Sequence, residues 1–195
     1  MPRQADHAID PLFLERWSPR AFDESEMPEE DLLSLFEAAR WAPSAFNSQP
    51  WRFLYARRRE ADWERFLDML IPFNRSWAQS ASVLVYILSD TLPFTDKATG
   101  EPAASHTHSY DSGAAWACFA LQATRMGYQA HGMSGVDFER VRAELGVPER
   151  YRIEAAAVVG RIGDPATLPE KLRAREVPSG RKPVEKLAFR GGWPA

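Results

Sequence analysis

The pattern of this 195-residue chain predicts an α+β fold, a mixed central β-sheet flanked by helices. Three observations carry that expectation. Residues 82–88 are a near-continuous apolar run of strand length, as a strand buried on both faces requires, and residues 153–159 read as a further strand. Apolar residues recur at helical spacing after Pro28, from Trp63 and after Asp111. The two kinds of element alternate without a strict strand–helix–strand rhythm.

Pro28, followed by Glu29, Glu30 and Asp31, places acidic groups at the positive end of a helix dipole. Leu32, Leu35, Phe36 and Ala39 mark its apolar face, and Pro43 stops it. A strand over 52–56 leaves the Gln49-Pro50-Trp51 turn. Trp63, Phe66, Leu67 and Leu70 form a second helical face that Pro72 ends. The strand at 82–88 gives way to a polar loop over 89–108, long enough to suggest a functional or mobile segment. An Ala-rich helix spans 111–126 and terminates at Gly127. A short strand over 128–131 follows, then a helix capped by Asp137 that runs to Leu145 and closes at Gly146 and Pro148. The strand at 153–159 is the last clear element. Residues 164–195 form an extended C-terminal arm whose Val184, Leu187, Phe189 and Trp193 need a surface, either a partner subunit or the arm's own domain. No linker or repeat divides residues 1–195, so one domain is expected.

Composition narrows the function classes. With 45% hydrophobic residues the chain can bury a substantial core. A net charge of −3 gives no global field for nucleic acid or anionic lipid, and Arg57-Arg58-Arg59 reads as a solvated strand end. Cys118 is the single cysteine, an inert buried thiol by expectation, which fits a reducing, cytoplasmic setting. No run approaches the ~18 apolar residues of a membrane span. His106, His108 and His131 lack the further ligands that zinc wants, so no metal is expected. His106, His108 and Tyr110 border the long loop and could line a substrate mouth. No Ser-His-Asp arrangement, P-loop or GxGxxG motif is present.

Two segments carry the chemistry. Arg16-x-Ser18-x-Arg20-x-Phe22 alternates guanidinium and hydroxyl groups, and Pro43-Ser44-x-x-Asn47-x-Gln49-Pro50-Trp51 sets hydroxyl and amide groups on a Pro-braced turn. With Phe73-Asn74, Asp111-x-Gly113, Gly127, Ser134-Gly135, Val158-Val159-Gly160 and Arg181-Lys182-Pro183 following in order, the chain resembles the FMN-dependent nitroreductase family from about Arg16 to Trp193. The resemblance implies a homodimer that binds FMN, takes hydride from NADH or NADPH, and reduces a small acceptor such as a nitroaromatic or quinone by ping-pong kinetics. Arg16 and Arg181 would hold the phosphate, with Lys182 the alternative to Arg181. Ser18 would donate to the phosphate or ribityl chain, and Arg20 would be the cation near flavin N1 and the C2 carbonyl. Asn74 would read the ring edge, Ser134 and Gly135 would lie by N5, and Pro43, Ser44 and Asn47 would approach from the second subunit. No side chain is assigned as catalytic, because the cofactor does the chemistry. Trp77 stands where some family members have a basic residue, which leaves reduction to depend more on Arg20.

Other readings stay open. Arg16 and Arg20 could form surface ion pairs with Asp23 or Glu24, and Asn47, Ser48 and Gln49 could be simple turn formers. Gly113, Ala117 and Ala120 permit close helix approach at a dimer interface, although helix propensity also explains the alanines. His131 reads as a strand-end residue near the flavin. As a whole the chain could instead be a flavin-binding sensor or storage module, or an enzyme using the same scaffold on flavin itself or on a halogenated or unsaturated substrate.

Overall fold

A computed structural model describes residues 3–194. A four-stranded sheet of order β1-β2-β6-β5 forms its centre, with β1 at Trp51–Arg57, β2 at Val83–Asp90, β5 at Gln129–Met133 and β6 at Tyr151–Gly160. The α+β architecture is the expected one, and the expected mixed pairing narrows to antiparallel between all neighbours in this sheet. Every residue of β2 is buried, as its unbroken apolar run demands.

Each face of the sheet carries its own core. Leu84, Tyr86, Leu88, Ala156 and Val158 pack with α3 (Trp63–Asp68), α4 (Pro72–Ala78) and α6 (Phe138–Glu144). Val83, Val85, Ile87, Ala157 and Val159 pack with α2 (Glu29–Arg40) and α5 (His108–Arg125). In α2 the buried side chains are Leu32, Leu35 and Ala39, so the predicted apolar stripe faces the sheet. Asp137 accepts from the Arg140 N–H at 3.0 Å, the cap read from the sequence.

Three local departures have physical causes. Pro72 opens α4 rather than closing α3, since a first-turn position needs no N–H; α3 has already ended at Asp68, and Leu70 is buried through a bridge to Val136. Ser89 and Asp90 extend β2 into the expected loop because partners arrive from elsewhere: Arg150 grips Asp90 at 2.7 and 2.6 Å. The rest of that loop contains a small hairpin, β3 (Phe94–Thr95) with β4 (Pro102–Ala103), and α5 starts at His108. Arg57, Arg58 and Arg59 pair with glutamates, Arg58 with Glu24 and Arg59 with Glu26.

The arm contains the short helix α7 (Glu170–Arg173), whose Leu172 is buried, between 3-10 turns at Pro165–Thr167 and Val184–Lys186. Farther along, Leu187 and Trp193 are 61% and 87% exposed, so the chain itself does not cover them. Among the described residues no helix is long and apolar enough to cross a membrane.

Candidate functional site

Residues 15–22 run beside the edge strand β5 because β5 side chains bind their backbone. Gln129 accepts from the Trp17 N–H at 3.1 Å and donates to the Glu15 carbonyl at 3.2 Å. His131 Nδ1 donates to the Pro19 carbonyl at 2.7 Å, and Phe22 bridges to Ile162. Gly163 permits this approach: a Cβ there would sit 2.3 Å from the Phe22 carbonyl oxygen. The alternating Arg16, Ser18 and Arg20 are thereby laid along one sheet edge.

Both chain ends then close on Arg16. Arg3 donates to the Leu14 carbonyl at 3.0 Å, to the Arg16 carbonyl, and through Nε to the Ser179 carbonyl at 2.9 Å. Arg181 donates to Ser179 Oγ at 3.1 Å, and Arg16 reaches Ser18 Oγ at 3.5 Å. Burial first, then the positive fields of Arg181 and Arg3, hold the Arg16 guanidinium below its usual pKa. None of these three arginines has a carboxylate partner among the described residues. Arg3 and Arg181 line a cavity of about 150 Å³ together with Asp6, whose carboxylate accepts the Val184 N–H. Three guanidiniums in one another's field, none closed into an ion pair, make a candidate site for an anion.

At the C-terminal end of β5 the Gly135 carbonyl accepts from the Ile71 N–H at 3.2 Å and from Asn74 Nδ2 at 3.1 Å. A Cβ on Gly135 would lie 2.4 Å from that Asn74 nitrogen, so the space the glycine leaves is filled by the protein's own amide. Asn74 keeps Oδ1 and one amide hydrogen for another partner. Next to it Trp77 is buried, its ring 4.5 Å from the His131 ring and 5.9 Å from the Arg20 guanidinium carbon. Burial, with Arg20 and Arg16 nearby, pushes the His131 pKa down to about 4, against the hydrogen bond to Pro19. The ring is therefore neutral at pH 7 and presents Nε2 as an acceptor.

Arg20 carries a partner that the sequence did not announce. Glu176 Oε1 accepts from the Arg20 and Ala21 N–H groups at 2.6 and 2.9 Å, and its Oε2 lies 4.0 Å from Arg20 Nη1. Arg20 Nε and Trp77 Nε1 are buried without a hydrogen-bond partner. Arg3 and Glu176 were both missed by sequence reasoning. Glu176 reaches Ala21 across 155 positions, and Arg3 joins Ser179, 176 positions away, to the Leu14 and Arg16 carbonyls, so no local pattern encodes their roles.

Pro43, Ser44 and Asn47 lie elsewhere. Their turn precedes β1, at the opposite edge of the sheet from β5. Ser44 Oγ accepts from the Gln49 N–H at 3.0 Å, and buried Asp111 accepts from the Ala45 N–H at 3.2 Å. Phe46, Asn47 and Gln49 all adopt positive φ, and Phe46 is 95% exposed. Within the chain, then, the structure groups Arg16, Ser18, Arg20, Asn74, Ser134, Gly135 and Arg181 on the β5 side and sets the Pro43 turn apart.

Two other constellations have no such chemistry. Ser89, His108 and Glu154 meet, but serine and glutamate approach the same ring nitrogen and Ser89 is fully buried, unlike a nucleophilic triad. Among the described residues no three His, Cys, Asp or Glu side chains cluster as metal ligands.

An antiparallel sheet with flanking helices and a cluster of arginines at one sheet edge define an α+β protein whose candidate site lies beside β5. The sequence model of the Nitroreductase family matches residues 14–76 and 71–161, and the chain belongs to that family. A Streptomyces coelicolor relative, provisionally named an NADH dehydrogenase/NAD(P)H nitroreductase, is 30% identical over 87% of this chain and 89% of its own. The CLA biosynthesis enone reductase of Lactiplantibacillus plantarum is 26% identical over 77% of this chain and 83% of its own. A solved structure described as an oxidoreductase containing FMN superimposes with a TM-score of 0.95 at 46% identity, covering 98% of this chain and 96% of that one.

Proposed function

We propose that the protein is a homodimeric FMN oxidoreductase that takes hydride from NADH or NADPH and passes it to a small electrophilic acceptor in two half-reactions at one site. The observation that carries this is the set of uncompensated guanidiniums, Arg3, Arg16 and Arg181, on a nitroreductase-family scaffold. FMN offers a phosphate dianion for that cluster, and when bound it supplies the hydride chemistry. The orphaned Arg20 Nε and the uncommitted Asn74 amide fit the polar edge of a flavin ring.

Arg16 and Arg181 are the phosphate ligands in this reading, and Ser18 supports them. Arg20, Asn74, Ser134 and Gly135 orient the ring, while His131, neutral at Nε2, adds an acceptor close by. Pro43, Ser44 and Asn47, before β1 at the far edge of the sheet, act from the second protomer. The exposed Leu187 and Trp193 of the arm provide apolar surface for the same association.

Affinity for FMN and for riboflavin, measured for the unaltered protein and Arg16→Ala, tests the phosphate assignment. One charge-assisted hydrogen bond is worth about 1.5–3 kcal/mol, so FMN binding should weaken about 10- to 150-fold while riboflavin binding is little changed. Unchanged FMN affinity would refute it. The enone reductase relative favours a second acceptor class, a conjugated carbon–carbon double bond, on the same reduced cofactor.

A further inference from the structure

Glu176 enters the site from the segment after α7, with its side chain 1% exposed. Its two oxygens have different tasks. Oε1 fixes the backbone of the Arg20 loop through two N–H groups, whereas Oε2 stands 4.0 Å from Arg20 Nη1 and has no hydrogen-bond partner. A closed ion pair would bring those atoms to about 2.8 Å and use up the guanidinium's donors. Here the carboxylate contributes charge to Arg20 without occupying it. Arg20 Nε is buried and unpartnered on the same group, and the guanidinium lies over buried Trp77. Trp77 brings no second cation to Arg20, and Arg175 is the basic group whose field opposes that of the carboxylate there.

We propose that Glu176 is a positioning residue that holds Arg20 beside the flavin and, through its buried charge, lowers the potential at which the flavin is reduced. This rests on the function proposed above. Reduction adds negative charge to the ring, so Arg20 favours the reduced form and a carboxylate a few ångströms behind it opposes that form. The pair would therefore set a less positive potential than Arg20 alone.

The test is the midpoint potential of FMN-loaded protein, unaltered and as Glu176→Gln, measured by anaerobic spectroelectrochemistry alongside FMN affinity. Glutamine keeps an Oε1 acceptor for the Arg20 and Ala21 N–H groups and removes the charge. We expect the reduced-to-oxidised ratio at a given potential to rise at least tenfold, about 30 mV for a two-electron couple. A role confined to holding the loop would leave the potential where it was, and that result overturns the proposal. Should Glu176→Gln fail to fold because Arg20 is left unpaired, Arg20→Gln is compared with Arg20→Gln/Glu176→Gln, which buries neither charge. The double variant should have the higher potential, and equal values overturn the proposal. Unaltered protein that binds no FMN would remove both this inference and the function on which it rests, whereas an unmoved potential in loaded protein removes only the inference.

Discussion

Gly135→Ala is a stringent probe of the site because the structure specifies what the added methyl meets. Its Cβ would lie 2.4 Å from Asn74 Nδ2, 2.6 Å from Ile71 Cδ1 and 2.8 Å from Ile71 Cγ1. Asn74 is buried on α4, so relief requires the amide to leave the Gly135 carbonyl or the loop after β5 to shift away from Ile71. Losing the hydrogen bond costs about 1 kcal/mol, and overpacking a close-packed contact costs about 1–3 kcal/mol. The sum, about 2–4 kcal/mol, corresponds to a fall in Tm of about 4–16 °C for a domain of this size. Urea denaturation with calorimetry measures it, and flavin affinity should fall in parallel because Asn74 is the displaced group. The control is Gly113→Ala on α5, where nothing lies within 4 Å of the added Cβ and about 1 kcal/mol of stabilisation is expected. Equal stability of Gly135→Ala and the unaltered protein would refute the packing described at β5. A destabilised Gly113→Ala would mark a neighbouring molecule against that helix.

Two further outcomes follow from side chains around the site. His131 has a folded pKa of about 4, below the ordinary 6.5, so the unfolded chain takes up a proton first as the pH falls. Its contribution is intact above about pH 6.5 and is lost progressively toward pH 4, on the order of 2–3 kcal/mol; Tm against pH should show that slope in the unaltered protein and a weaker one in His131→Gln. Asp111→Ala removes the acceptor for the Ala45 N–H and the Thr107 hydroxyl, and should cost about 1–3 kcal/mol. Because the turn it anchors holds Phe46, Asn47 and Gln49 at positive φ, hydrogen exchange should accelerate first there.

Elements whose cause lies in neighbouring residues were legible. The unbroken apolar run of β2 told its burial on both faces, Asp137 told its cap, and Gly127, at φ +80°, told the end of α5. Pro72 was misread because a proline stops the chain before it and starts the helix after it equally well. Ser89 and Asp90 read as loop because their polarity is compensated chiefly by groups distant in sequence, Glu154 and His108 for Ser89 and Arg150 for Asp90. Of the site, the resemblance pointed to Arg16, Ser18, Arg20 and Asn74. It was silent on Glu176 and Arg3, whose roles depend on which ends of the chain meet β5. It also gave no sign that Trp77 would lie between His131 and Arg20 in the buried site, in contact with both.

The most direct test of the oxidoreductase reading is the absorbance spectrum of the protein reconstituted with FMN, recorded anaerobically before and after NADH and then NADPH. The account predicts a bound-flavin spectrum that bleaches with at least one nicotinamide. Flavin that binds tightly and stays yellow with both would contradict turnover and leave a binding module, and failure to bind FMN would contradict the account altogether.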